Sequence, residues 1–225
     1  MRYRLSHFAL VIGALLPLGA EAVPFSNGNF ALPGLPASSA QPIGPGTEPT
    51  FWVAGGTAST SSFALFYENG LFGLPSVPLV GFGGNGTSGA TLSQTFDTLA
   101  GTNYSVRFQV TPQQGFDPSQ SLLAQALNGS AILASSSIGI PLLGVTENFH
   151  FYDEMFNFVA GSSTTTLRFT DTTTGGTAAN FSVGNVSVNG NVAPVPEPET
   201  YGLMLAGLGV LGFAARRRKQ RAVTA

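Results

Sequence analysis

The segment Tyr104-Ser105-Val106-Arg107-Phe108-Gln109-Val110 constrains the fold more than any other. Apolar and polar residues alternate strictly along it, and side chains of an extended chain point alternately to two faces. Four apolar side chains therefore share one face, and that face needs a second layer to cover it. The same period of two recurs from Phe63 to Tyr67, Leu92 to Phe96, Phe149 to Phe151, Phe156 to Ala160, Thr165 to Phe169 and Phe181 to Val188. Leu122 to Leu127, Asn128-Gly129 and Ser130 to Ala134 read as a hairpin, with Asn-Gly supplying the two positive-φ positions of a type I′ turn. The step of three residues from Val183 to Val186 across Gly184-Asn185 predicts a β-bulge. Gln120 to Leu127 is the best helix candidate, but the Asn-Gly after it favours the hairpin. The proline- and glycine-rich stretch from Asn27 to Thr50 reads as loop with one edge strand near Phe30, and Thr172 to Ala179 as a polar loop. These signals predict an all-β chain folded as an antiparallel β-sandwich.

The two ends have a different composition. Arg2 and Arg4 precede an apolar run, Phe8 to Leu18, and Ala20-Glu21-Ala22 follows as a small-x-small cleavage site. This is the pattern of a signal peptide, so the mature chain is expected to begin near Val23. At the other end Val195-Pro196-Glu197-Pro198 is followed by an apolar run, Tyr201 to Ala215, and by the basic cluster Arg216, Arg217, Arg218 and Lys219. That run of 15 residues is roughly 22 Å long as a helix, short of the ~30 Å hydrocarbon core. Basic residues stay on the cytoplasmic side, which puts the Pro-Glu-Pro motif just outside the membrane. The expected division is a signal peptide (1–22), a β-sandwich domain (23–192) and a C-terminal segment with a hydrophobic transmembrane helix (193–225).

Motif, apolar helix and arginine cluster in this order resemble the PEP-CTERM sorting signal of bacteria that secrete exopolysaccharide. The resemblance implies a membrane transpeptidase, exosortase, as the partner that recognises the tail and removes it. It implies a protein anchored transiently in the inner membrane and then delivered to the cell envelope, the extracellular matrix or the medium.

Charge narrows the function further. Outside the two ends only Arg107 and Arg168 are basic, against Glu48, Glu68, Asp97, Asp117, Glu147, Asp153, Glu154 and Asp171, so this region carries 2 − 8 = −6. A surface of that sign does not hold a phosphate backbone, and no nucleic-acid partner is expected. The chain has no cysteine, which excludes disulfides, thiolate metal sites and cysteine nucleophiles.

A second resemblance covers most of the region between the ends. Asn27-Gly28-Asn29-Phe30, Phe51 to Gly56, Leu92 to Phe96 leading into Tyr104, then Phe151, Phe156, Phe158, Leu167, Phe169 and Asn185-Val186-Ser187-Val188 are similar in order to galactose-binding-like jelly rolls. That family implies a jelly-roll sandwich and a structural calcium. Here Ala31 stands where such modules carry a glutamate, and Asn185 where they carry an acid, so a hard cation loses its charged ligands and no metal or other cofactor is expected.

The remaining motifs are weak. Gly81-Phe82-Gly83-Gly84-Asn85-Gly86 matches a dinucleotide fingerprint by letters only, since no helix signal follows it, and it reads as a glycine-rich loop. Asp153-Glu154 beside His150 is the one acid–histidine cluster, but neighbours on a strand point to opposite faces, so it reads as a solvated strand end. Trp52, Tyr67 and Tyr152 are the candidate carbohydrate-binding aromatics, weighed against the ordinary fate of large rings in a core. The expected function is a non-catalytic, exported protein with a structural or polysaccharide-binding role in the matrix or biofilm. The alternative is a secreted glycan-active enzyme on the same fold.

Overall fold

The structure, a computed structural model, describes residues 24–61, 63–70, 74, 76–113, 120–141, 150–174, 181–190 and 207–208. Its strands are β1 (Ser39–Ile43), β2 (Val53–Gly56), β3 (Leu65–Asn69), β4 (Pro78–Phe82), β5 (Ala90–Asp97), β6 (Asn103–Pro112), β7 (Ser121–Asn128), β8 (Ala131–Gly139), β9 (Tyr152–Val159), β10 (Thr164–Asp171) and β11 (Phe181–Gly190). One sheet runs β1-β3-β4-β11-β6-β9 and the other β2-β5-β10-β7-β8, with antiparallel neighbours throughout. The chain is an all-β sandwich of the jelly-roll kind.

Alternation decides which face of each strand is covered. On β6 the side chains of Tyr104, Val106, Phe108 and Val110 are buried and those between them are more exposed. Leu92 and Phe96 of β5, Leu122, Ala124 and Ala126 of β7 and Leu167 and Phe169 of β10 face them in one core. The Phe108 ring meets Phe169 edge-on at 5.1 Å across the layers, and Phe82 stacks on Phe181 at 5.2 Å. Each such fully buried side chain contributes about 1.5–3 kcal/mol.

The predicted bulge is present. The pairing of β11 with β6 shifts between Gly184 and Ser187, and Asn185 adopts φ 48°. An extra residue here bends the strand and turns the Asn185 side chain toward Gln109.

Local signals misplaced several boundaries. The edge strand in the proline-rich stretch is β1, not a segment near Phe30. Phe30 instead sits at φ 52° and buries its ring 5.2 Å from that of Trp52. The hairpin between β7 and β8 turns through Gly129 and Ser130, because Asn128 still pairs with Ala131. Gly129 alone of this pair has positive φ, 58°, so the turn has the pattern of type II′ rather than type I′. Gly81 and Phe82 belong to β4, and only Gly84–Gly86 forms a short 3-10 turn. Phe63 lies outside β3 at φ 65°. His150 and Phe151 precede β9, and Phe149 lies outside the described residues.

The segment expected to be a signal peptide, with Ala20 and Ala22, lies outside the described residues, as do Val195, Pro196, Glu197 and Pro198 and Arg216, Arg217, Arg218 and Lys219. In the apolar run Gly207 and Leu208 are described, and both are helical. Among the described residues no helix is long and apolar enough to cross a membrane.

Candidate functional site

The outer face of the six-stranded sheet carries a shallow groove of about 350 Å³ lined by Arg107, Phe108, Gln109, Asp153, Glu154, Met155 and Asn185. Three adjacent strands build it. The Gln109 amide on β6 is its hub: its Nε2 donates to Asp153 Oδ1 on β9 at 2.9 Å, and its Oε1 accepts from Asn185 Nδ2 on β11. Two amides and a carboxylate are thus held in a row by each other, with defined donor and acceptor directions. Met155, 52% exposed, supplies an apolar surface beside them, and Arg107 is exposed at the register position opposite Met155. Such a floor can donate to and accept from neighbouring hydroxyl groups while the thioether covers C–H surface.

Asp153 and Glu154 point to opposite faces of β9, Asp153 outward to Gln109 and Glu154 on the side of the core-facing Phe156 and Phe158. They do not form the facing pair that glycoside hydrolysis uses. His150 packs edge-on against Tyr152 at 4.7 Å.

The three candidate aromatics occupy different environments. Trp52 is 3% exposed; its ring lies among Phe25, Phe30 and Phe169, and its indole N–H donates to the Asn27 carbonyl at 3.0 Å. Tyr67 is fully buried on β3, its hydroxyl donates to the Phe30 carbonyl, and desolvation raises its pKa. Both rings are buried, so neither presents an exposed face on which a sugar can stack. Tyr152 is half-buried at the start of β9.

The exposed aromatic that sequence reasoning missed is the neighbour of Trp52. Phe51 is 55% exposed and has φ 75°, within a turn closed by the Trp52 N–H donating to Pro49 at 2.9 Å. That places phenylalanine at the third turn position with positive φ, where glycine is normally preferred. Alternation cannot report this, since a turn residue has no strand face.

On the side of the six-stranded sheet that faces away from the core, where Leu65, Tyr67, Phe181 and Val183 turn the other way, lies a second, buried polar cluster. Glu68 on β3 accepts from Gln113 Nε2 at 3.0 and 3.2 Å and from the Ser182 hydroxyl of β11. Glu68, Gln113 and Ser182 are fully buried. Desolvation outweighs these hydrogen bonds and pushes the Glu68 carboxyl up to about 7. Asp171, at the end of β10, is also raised by burial, against the Thr173 hydrogen bonds that lower it. Neither acid lines the groove.

The loop that a calcium would organise in related jelly rolls is closed by an amide. Asn27 Nδ2 donates to the carbonyls of Leu32 and Thr50 at 2.9 and 3.0 Å, and Asn27 Oδ1 accepts from the Leu32 N–H. With Ala31 and Asn185 at the two acid positions, these residues do not fit the ion. Among the described residues no group of three or more His, Cys, Asp or Glu could hold a metal.

Residues 194–219 match the PEP-CTERM protein-sorting motif. The chain carries a PEP-CTERM sorting signal. The motif implies a secreted protein processed by exosortase at the cell envelope, and it begins four residues after Gly190, where β11 ends (194 − 190). No curated protein matches the chain. Among solved structures the chain is similar to the Stig cyclase Fisc from Fischerella sp. TAU, with a TM-score of 0.55 and 15% identity over 77% of this chain and 98% of that one. It is also similar to TmCBM61 in complex with β-1,4-galactotriose, with a TM-score of 0.45 and 10% identity over 75% and 99% of the chains. A third structure, of a CBM4 module, aligns with a TM-score of 0.45 and 11% identity over 74% and 99%. At these identities the cyclase likeness establishes a shared fold and nothing of the chemistry.

Proposed function

We propose that this is a non-catalytic polysaccharide-binding or structural protein of the envelope or extracellular matrix. The signal peptide carries it across the inner membrane, and the C-terminal helix holds it there until an exosortase-type transpeptidase processes it near Pro196-Glu197-Pro198. The observation that carries the binding role is the Asn185–Gln109–Asp153 row in its shallow groove. Its amides suit a neutral, hydroxylated ligand, because they donate and accept without demanding a counter-charge. The acidic balance of the domain disfavours anionic partners and leaves neutral glycans favoured. The outward Asp153 and inward-side Glu154 support binding rather than bond cleavage.

A glycan array combined with a reducing-sugar release assay tests this reading. The expected result is retention of one or more neutral polysaccharides without release of reducing ends, with retention lost in Gln109→Ala. Release of reducing sugar by the purified protein would replace the proposal with the enzyme alternative.

A further inference from the structure

The chain leaves the sandwich at Gly190, and the residues around that point share one character. Gly190 pairs with Tyr104 at the start of β6, and Asn103 beside it pairs with Val159 at the end of β9. Tyr104 stacks on Phe158 at 5.3 Å and accepts the Leu99 N–H on its hydroxyl at 2.9 Å. The hairpin between β7 and β8 reaches the same end, where Ser162 Oγ donates to Asn128 Oδ1 at 3.0 Å. Three apolar side chains stand exposed here on three separate elements: Leu99 at 52%, Ile132 at 59% and Val159 at 56%. Among the described residues Asp97 is the one acid at this end. Asp153, Glu154 and Asp171 lie toward the other end, Glu48 follows the strand that finishes there, and Glu68 is buried.

From Gly190 to the first residue of the apolar run, Tyr201, there are 11 residues, with Pro194, Pro196 and Pro198 among them. Fully extended they span at most roughly 36–40 Å, so an anchored tail keeps the exit end of the sandwich close to the lipid headgroups. A short tether raises the local concentration of its two ends, so contacts too weak to bind from solution become populated.

We propose that this end is a lipid-contact surface: while the precursor is anchored, Leu99, Ile132 and Val159 rest against the outer leaflet of the membrane that holds the tail. This rests on the anchoring reading above. Three exposed aliphatic side chains on separate elements, on a rim whose one acid among the described residues is Asp97, fit a yielding interface rather than a shaped protein pocket, and the more acidic end is directed away from anionic lipid. The contact orients the domain so that the chain's exit point at Gly190 faces the membrane in which the processing enzyme is embedded.

The absence of native cysteine permits a direct test. Leu99→Cys, Ile132→Cys, Val159→Cys and, at the far end, Thr60→Cys are each labelled with an environment-sensitive fluorophore in the full-length precursor. The labelled precursors are reconstituted in phosphatidylcholine–phosphatidylglycerol vesicles containing a headgroup-proximal spin-labelled lipid. The expected result is a blue shift and quenching at the three exit-end positions and neither at Thr60, with all signals returning to the solution value in the processed form. Co-sedimentation of the precursor with the vesicles reports the anchoring separately. A precursor that co-sediments but shows no exit-end quenching overturns the lipid contact alone, whereas a precursor that stays in the supernatant overturns the anchoring with it. Changes at Leu99, Ile132 and Val159 that require co-reconstituted transpeptidase would assign the surface to that protein and overturn the proposal.

Discussion

The Ser182 hydroxyl donates to the Glu68 carboxylate across β4, joining the third and eleventh strands through side chains 114 positions apart. No local pattern links these residues, yet the pair contributes to the pH response of the fold, in the same direction as the raised Asp171. Glu68 is raised from 4.5 to about 7 in the folded protein. Its folded value thus exceeds its unfolded one, so the neutral acid favours folding. Stability is greatest at and below pH 4.5 in this respect, falls as pH rises toward 7, and is level above that. A shift of this size corresponds to about 3 kcal/mol. Urea unfolding of the processed protein at pH 5 and pH 8 is expected to show greater stability at pH 5. Glu68→Gln keeps the acceptor for Gln113 and Ser182 and should flatten that slope while raising stability at pH 8.

Trp52 reports on its own burial. As the one tryptophan of the chain, 3% exposed, it should emit in the blue and resist iodide quenching, and a bound glycan should leave its spectrum unchanged. Trp52→Ala removes a ring packed among three phenylalanines and should cost about 3–5 kcal/mol. Glycan-dependent quenching of its emission would show that the ring is reached from outside.

Phe51 holds its positive φ at a cost that glycine does not share. Phe51→Gly should keep the fold and raise stability by up to ~1 kcal/mol, since the exposed ring contributes little burial. Phe51→Val should lower stability by a similar amount or more, because branching at Cβ is least compatible with that conformation. Thermal melts of the two variants beside the parent check the sign of each.

Groove substitutions should separate binding from folding. Gln109→Ala removes the hub of the Asn185–Gln109–Asp153 row from a solvated face, so its stability cost should stay near 1 kcal/mol. Asn185→Gly retains the bulge conformation and loses only the hydrogen bond to Gln109. Both should weaken glycan retention with little change in melting temperature. A large loss of stability with unaltered retention would place the ligand elsewhere.

Processing is expected to depend on the motif. Pro196→Ala combined with Pro198→Ala should leave the precursor at full mass in a native host, as deletion of the transpeptidase should, in a pulse-labelling experiment. Equal mass and location of the parent protein with and without the transpeptidase would contradict exosortase processing.

How much was legible in the sequence depends on how local each feature is. The faces of β5, β6, β10 and β11 follow from alternation, because a two-residue period acts on the strand that carries it. The bulge at Gly184-Asn185 was legible for the same reason: it breaks that period in place. β2 and β4 were not, since Val53–Gly56 and Pro78–Phe82 are short, glycine-bearing strands whose extended form comes from their partners β5 and β3. The groove was invisible because Gln109, Asp153 and Asn185 meet only through strand pairing.

By itself the amino-acid sequence determined that the chain is all-β and that its tail carries a sorting signal. These are properties of period and composition, which the chain carries before it folds. Only the tertiary structure decided that Trp52 turns inward while Phe51 turns out, that Glu68 is sealed from water, and that Leu99, Ile132 and Val159 stand exposed at the end where β11 finishes. Those outcomes depend on which strands pair across the two sheets, and burial is a property of the pairing rather than of the residue.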